Sequence, residues 1–256
     1  MIKKEVLHAL WIGVLAGCFG GLVGLGGGVV MIPLMVGVLK LSQHQAHGTS
    51  LWALVFTGLI GAITYGMHGA VDVVASLIIA ITAMITARKG AKFAHSLPEW
   101  KLKRSFGAFL IFASILLLVK PYVGSLYHFS LAGTAKILAL LLTGVFAGFI
   151  AGMMGVGGGT IMVPALVLGL NYGQHLAQGT SLLCMVPAGL VGAYTHLKLG
   201  NVVKSILPGL VIGIIIGTFI GGNVANLLPE AYLRVFFATI VIWTGIRFLR
   251  TPKPKD

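Results

Sequence analysis

The chain has 256 residues, 57% of them hydrophobic and only 9% charged, and its mean hydropathy is +1.01. A soluble domain of this size needs far more charged surface, so the composition excludes one and points to a chain dissolved in lipid. The net charge of +13 would suggest nucleic acid in a soluble protein. Here the cations sit at the ends of apolar runs, as Arg88, Lys89, Lys92, Lys101, Lys103 and Arg104 do; that is the pattern of anchors beside anionic lipid, so the bilayer and not nucleic acid is the expected partner.

In chain order, the first element is an interrupted apolar segment over residues 6–40. No Asp, Glu, Lys or Arg occurs from Val6 to Leu39. A helix is predicted over 6–20, followed by Gly20, Gly21, Gly24, Gly26, Gly27 and Gly28 and then by Pro33, a density of glycine that breaks a helix. The remaining Val29–Leu39 is too short to span a bilayer alone. Lys3 and Lys4 ahead of Leu15-Ala16-Gly17-Cys18 resemble a lipoprotein signal, but the same stretch recurs as Leu142–Phe149, so this segment is expected to be structure and not an address. A short polar connection carrying Gln43 and His44 follows, then apolar runs at 49–67, 71–88 and 105–122.

Residues 123–135 join this part to the rest of the chain, 136–256, where apolar runs lie at 137–170, 180–197, 203–223 and 235–249. Ile137–Leu197 contains no charged residue over 61 positions. As one helix it would extend roughly 90 Å, against a hydrocarbon core of about 30 Å, so it must fold back. The fold class expected is all-α: a polytopic transmembrane helical bundle. Cys18 and Cys184 lie in apolar segments without CxxC spacing and read as small core residues; no metal or other cofactor is expected.

A shift of 131 positions superimposes the two parts. Gly24-Leu-Gly-Gly-Gly28 falls on Gly155-Val-Gly-Gly-Gly159, Pro33 on Pro164, Gln43 and His44 on Gln174 and His175, and Gly48-Thr49-Ser50-Leu51 on Gly179-Thr180-Ser181-Leu182. From Gly13 to Asp72, 28 of 60 positions are identical without a gap. Residues 1–122 and 136–256 are therefore read as repeats, each a broken helix followed by three transmembrane helices.

Their relative orientation depends on the broken segment. One long kinked helix would give parallel repeats; two pieces that meet and return would give inverted ones. Taking the 88–104 loop as cytoplasmic, inversion places 15 Lys and Arg inside and 3 outside (Lys120, Lys136 and Arg234), whereas parallel repeats give 8 and 10. The positive-inside rule therefore favours inversion, with both termini cytoplasmic and the chain multi-pass in an inner membrane.

Inverted repeats with broken helices are a recurring transporter design, and irregular backbone at membrane depth is tolerated where it is buried or lines a cavity. Each glycine break precedes a short helix whose first N–H groups lack partners and carry the positive end of the helix dipole. Gly24, Gly26, Gly27 and Gly28 with Gly155, Gly157, Gly158 and Gly159 are the expected anion-binding positions. Taken singly, each of these glycines reads as packing; it is the duplication that points to a site. No Asp, Glu, Lys or Arg lies deep in any run; a cation carrier usually keeps a carboxylate there. Thr49, Ser50, Thr180 and Ser181 can cap the following helix, donate a hydroxyl to the solute, or both. Gln43, His44, Gln174 and His175 are candidates for a gate or proton relay. His68 and His196 are weaker, since His196 falls on Tyr65 in the repeat register, and Tyr65, Thr64 and Thr195 read first as core. GLGGG lacks the Lys-Ser/Thr of a P-loop, so a gradient must supply the driving force.

The two glycine clusters, each followed by Pro and Gly-Thr-Ser, resemble the TauE/SafE permease family over nearly the whole chain. The resemblance implies an inner-membrane permease of small anions, often sulfur-containing ones such as sulfite or organosulfonates, with about eight membrane helices. The expected function is a secondary transporter of such an anion, with alternating access around the two breaks and homo-oligomerisation open. An anion channel, or an intramembrane enzyme built on Ser50 or Ser181, is the alternative; the symmetric duplication of these serines argues against a single catalytic dyad.

Overall fold

Apolar runs of this length satisfy their backbone in lipid by forming helices. The computed structural model of the protein describes residues 2–124, 133–225 and 230–253. It contains α1 (Ile2–Val23), α2 (Gly28–Gly37), α3 (Gln43–Gly66), α4 (Val73–Ser96) and α5 (Glu99–Gly124), then α6 (Gly133–Met154), α7 (Gly159–Leu170), α8 (Gln174–Lys198), α9 (Leu207–Val224) and α10 (Glu230–Leu249). A 3-10 turn at Lys204–Ile206 leads into α9. Six of these, α1, α3, α4, α6, α8 and α9 with its leading turn, are long and apolar enough to cross a membrane. Most of the connecting segment expected at 123–135 lies outside the described residues; α5 reaches Gly124 and α6 begins at Gly133.

Local chemistry moves several boundaries from those expected. Ser42 caps α3 through a capping box, its hydroxyl accepting from Gln45 N while the Gln45 side chain accepts from Ser42 N, so Gln43 and His44 belong to the first turn of α3 and not to a loop. Thr49 and Ser50 consequently lie in the second turn, not at a cap, and both are buried. α8 likewise takes in Gln174 and His175 at its first turn, but behind Gly173 and without a side-chain cap. α4 is capped by the Asp72 carboxylate, which accepts from Ala75 N at 2.9 Å, and it runs on past residue 88 to Ser96 because Arg88, Lys89 and Lys92 are tolerated on its outer turns. Gly20 and Gly21 do not break α1; the helix stops at Gly24, whose φ is +69° and whose N–H closes on Gly20 O at 2.9 Å.

Helix directions follow from which ends touch. His44 Nε2 lies 3.1 Å from Ala94 O and 3.0 Å from Leu97 O, so α3 begins where α4 ends. Val203 N donates to Thr49 Oγ1, which brings the end of α8 and the start of α9 to the same place. α1 runs parallel to α9: a Cβ at Gly17 would lie 2.7 Å from Ile214 O, and one at Gly21 would lie 2.6 Å from Thr218 O. α1, α3 and α9 therefore all start at one end, the His44 end. At the opposite, Asp72 end, Asp72 N donates to Thr180 Oγ1 and Tyr172 donates to the Asp72 carboxylate, so α4 and α8 start there. α6 runs alongside α4, with Gly144, Gly148 and Gly152 against Ile79, Ala83 and Ala87, and starts there too. Since α1 and α3 begin at the same end, α2 carries the chain back.

These contacts need glycine. Gly213, Gly217 and Gly221 of α9 leave no space for a Cβ against the carbonyls of Leu10, Val14 and Cys18. Without a hydrophobic drive between helices in lipid, such backbone approach is what holds them together. Trp11, Leu15, Leu142, Phe146 and Phe219 are exposed on the outside, where acyl chains would cover them.

Candidate functional site

The chain leaves α1 and enters α2 through Gly24, Gly26 and Gly27 at φ +69°, +89° and +73°; it leaves α6 and enters α7 through Gly155, Gly157 and Gly158 at +68°, +89° and +73°. L-residues with a side chain rarely adopt such angles. A Cβ on Gly27 would collide with Ala16 O, so α2 begins well back along α1. The interruption is thus a nearly full-length helix followed by a short returning one, not two equal half-helices.

The two breaks meet. A Cβ on Gly28 would lie 2.6 Å from Val156 Cα and 2.7 Å from Gly155 O; one on Gly159 would lie 2.9 Å from Gly24 O and 3.0 Å from Leu25 Cα. All residues from Val23 to Val29 and from Ala151 to Thr160 are buried. Met185 of α8 packs its methyl against both Gly26 and Gly157.

A helix that ends inside a bundle must satisfy its last carbonyls. At α1, Tyr65 Oη donates to Gly21 O (3.0 Å), Gln178 Nε2 to Val23 O (2.9 Å) and Ser181 Oγ to Gly24 O (3.1 Å). At α6, His196 Nε2 lies 2.9 Å from Gly152 O, His47 Nδ1 lies 3.0 Å from Met153 O, and Ser50 Oγ donates to Gly155 O at 2.7 Å. Carbonyls only accept, so both imidazoles donate here. Ser50 and Ser181, chosen as solute ligands from sequence, thus hold the opposite break; their hydroxyls are engaged with backbone oxygens, Ser50 also with His47 O. Thr49 and Thr180 accept from Val203 N and Asp72 N and so pin the ends of the bundle.

The short helices are treated differently. Neither Gly27 nor Gly158 supplies a side-chain cap to the first N–H groups of α2 and α7, while Gly28 and Gly159 lie against the opposite break. Two buried hydroxyls lack a partner nearby: Thr160 Oγ1 in the first turn of α7, and Thr57 Oγ1, whose methyl group lies beside Gly20 where that glycine meets the start of α2. A cavity of about 420 Å³ between α2 and α10 is lined by Val29, Val30 and Pro33 together with Lys40, Trp243 and Arg247.

Of the remaining sequence-predicted residues, His44 caps α4, and Gln43 sits fully buried against His47, with its Nε2 2.8 Å from His47 Nε2. His175 is exposed with its ring 6.2 Å from that of Tyr65, while Gln174 Oε1 is buried without a partner. Sequence reasoning passed over His47 and Gln178 and set aside Tyr65 and His196. Their signal was available: 131 positions separate His47 from Gln178 and Tyr65 from His196, so a polar group recurs at both places in the repeat register.

The two ends differ in charge. Lys40, the Arg88–Lys92 cluster, Lys101, Lys103, Arg104, Lys198 and Lys204 gather at the His44 end. Arg104 also donates there to Thr251 O. At the Asp72 end stands Lys136, over the Tyr172 ring. Burial alone would raise the carboxyls of Asp72 and Glu99, but hydrogen bonds and cations outweigh it. Ala75 N, the Tyr172 hydroxyl and Lys136 hold Asp72 below the usual carboxylate range; Lys103 and Gln43 N do so for Glu99. Burial, and then the Asp72 carboxylate, push the Tyr172 hydroxyl up, so it stays protonated.

Apolar helices of spanning length, with two interrupted helices meeting inside the bundle, define a polytopic membrane protein of the broken-helix class. The chain belongs to the Sulfite exporter TauE/SafE family, whose sequence profile matches residues 9–253, and is a membrane transporter of that family. It is 28% identical over 216 residues to the probable membrane transporter protein YunE of Bacillus subtilis, covering 75% of this chain and 78% of that one. It is 26% identical over 262 residues to a probable membrane transporter protein of Haemophilus influenzae, covering 94% and 97%. No solved structure matches the chain.

Proposed function

We propose that the protein is a secondary transporter of a small anion, built from two inverted repeats, residues 1–122 and 136–256, that move against each other around the paired glycine breaks. The observation that carries the anion is an imbalance. The carbonyl ends of α1 and α6 are covered by six side-chain donors, while the amide ends of α2 and α7 have no side-chain cap. A cation carrier of this design uses the carbonyl ends and an anion carrier uses the amide ends. Gly28, Val29, Gly159 and Thr160 would supply N–H groups, and the unpartnered hydroxyls of Thr57 and Thr160 would complete an oxyanion shell. Lys40 and Arg247 in the α2–α10 cavity favour approach of negative charge from the His44 end.

Inversion is supported by α1 and α3 both starting at the His44 end, whereas α6 and α8 both start at the Asp72 end. The basic side chains at the His44 end support a cytoplasmic side for that end, in an inner membrane. Both breaks are buried against one another, so solute access requires the repeats to separate on one side at a time. The family name makes sulfite or an organosulfonate the first substrates to try. The test is flux of sulfite, sulfonates and other small anions into liposomes carrying the purified protein. Saturable uptake that disappears in Gly158→Val supports the reading; uptake of sodium or potassium in place of every anion overturns it. Reporter fusions after residues 95 and 256 should fall on the same side, whereas parallel repeats would put them on opposite sides.

A further inference from the structure

We propose that transport is coupled to protons and that His47, read by the Gln43 amide, is the proton-binding site. This rests on the anion-transporter reading for what the proton is coupled to, but not for where it binds.

His47 is fully buried in α3. Its Nδ1 donates to Met153 O, so that nitrogen carries a proton; its Nε2 faces Gln43 Nε2 at 2.8 Å, and because an amide nitrogen only donates, Nε2 is bare. The ring is therefore neutral and in one tautomer. The cost of this arrangement shows on Gln43, whose Oε1 is buried with no partner. A half-turn of the Gln43 amide exchanges its two ends. Oε1 then faces Nε2, and an imidazolium has an acceptor at each nitrogen: Met153 O and Gln43 Oε1. One side-chain torsion thus serves both protonation states, and the orphaned oxygen is the acceptor waiting for the second proton.

The surroundings suit a coupling ion. Among the described residues, the titratable groups acting on His47 are His196 of α8 and His44 on its own helix; beyond them, Glu99 of α5 touches Gln43 and pairs with Lys103, and His95 of α4 lies beside His44. Glu99 Oε1 accepts from Gln43 N at 3.2 Å and is also 3.0 Å from Lys103 Nζ, so the carboxylate leans on the same turn and favours a cation there. His196, on Gly152 O, is 3.3 Å through Nδ1 from Asn201 Nδ2, which is 3.2 Å from Nδ1 of the exposed His95. This polar line runs from Gly152 O, one residue before the Met153 O that holds His47, to the exposed His95 at the His44 end. His47 and Ser50 hold the carbonyls of Met153 and Gly155, two residues apart at the α6 break. Positive charge on His47 therefore favours an anion at the break, and by linkage the anion favours the proton. The proton adds to Nε2 from water at one face and leaves to water at the other, with no other bond made or broken.

Two readouts test this. Nitrogen-15 spectra of histidine-labelled protein in lipid nanodiscs need no solute. One Nε2 signal, absent in His47→Gln, should pass from bare to protonated as pH falls from 8 to 5. Gln43→Glu should raise its midpoint by about one unit or more, because a carboxylate stabilises the imidazolium, and Gln43→Leu should lower it. A His47 signal that stays bare throughout, or is indifferent to both Gln43 variants, overturns the proposal. His47→Gln should fold, since Gln178 caps a carbonyl in the same way 131 positions on. In liposomes with sulfite or methanesulfonate, each unit of inward acid gradient should raise accumulation by about tenfold for one proton per anion. The ratio of driven to undriven uptake should fall to one in His47→Gln and persist in His68→Gln, which alters an exposed histidine at the other end. Anion uptake indifferent to the gradient refutes the coupling and leaves the anion reading standing. Absence of uptake for every anion removes that reading, while the spectra still decide the proton site.

Discussion

Replacing Gly27 with alanine adds one methyl group at the point where α2 folds back on α1. Two costs combine. The backbone sits at φ +73°, where an L-residue loses about 1–2 kcal/mol. The new Cβ also collides with Ala16 O, a backbone atom that moves only if α1 or α2 shifts, and overpacking of this kind costs about 1–3 kcal/mol. The sum, about 2–5 kcal/mol, corresponds to a fall in melting temperature of roughly 4–20 °C for a chain of this size. Two controls share the chemistry without the geometry. Gly37 lies at the end of the same helix with nothing within 4 Å of its added Cβ, so Gly37→Ala should stay within about 1 kcal/mol of wild type. At Gly158 the added Cβ would be 2.9 Å from Ala147 O and 3.0 Å from the flexible Met162 methyl, so Gly158→Ala should be milder than Gly27→Ala despite the same φ of +73°. Thermal unfolding of the three variants in one detergent, followed by intrinsic fluorescence and monodispersity, gives the order. If Gly27→Ala melts with Gly37→Ala, the returning helix does not pack as described and the closeness of the two breaks is wrong.

Ser50→Ala and Ser181→Ala each strip the cap from one break carbonyl, Gly155 O and Gly24 O, and should each cost about 1–2 kcal/mol; melting indistinguishable from wild type would mean those bonds are not made. Gly217→Leu should separate α1 from α9, because a Cβ at Gly217 already strikes Val14 O, giving membrane-inserted protein that loses its monodisperse peak on solubilisation; an unchanged peak would refute the glycine interface. Asp72 is held below its ordinary range, so the stability it contributes is present above the unfolded carboxyl value of about 3.9 and is lost as pH falls through the lower folded one. The stability gap between wild type and Asp72→Asn should be constant from pH 8 to about pH 5 and close below about pH 4; a gap that narrows as pH rises would contradict that sign.

Much of this protein is written in short stretches of its chain. Composition and the uncharged run Ile137–Leu197 determine the lipid environment. The glycine clusters at 24–28 and 155–159 determine where helices are interrupted, because a positive φ is a local demand that glycine meets locally. Helix starts were less legible where a capping box at Ser42 and Gln45 drew polar residues into α3, since hydropathy alone does not register a cap. What only the tertiary structure decided is which groups satisfy the interrupted ends. Ser50 reaches Gly155, Ser181 reaches Gly24, and His47 reaches Met153, each across more than 100 residues. A buried carbonyl accepts from any donor brought within reach, and the sequence does not say which helix will bring it. Packing of α3 and α8 against the two breaks made that choice, and it turned residues chosen as solute ligands into the clamps that leave the amide ends of α2 and α7 uncapped.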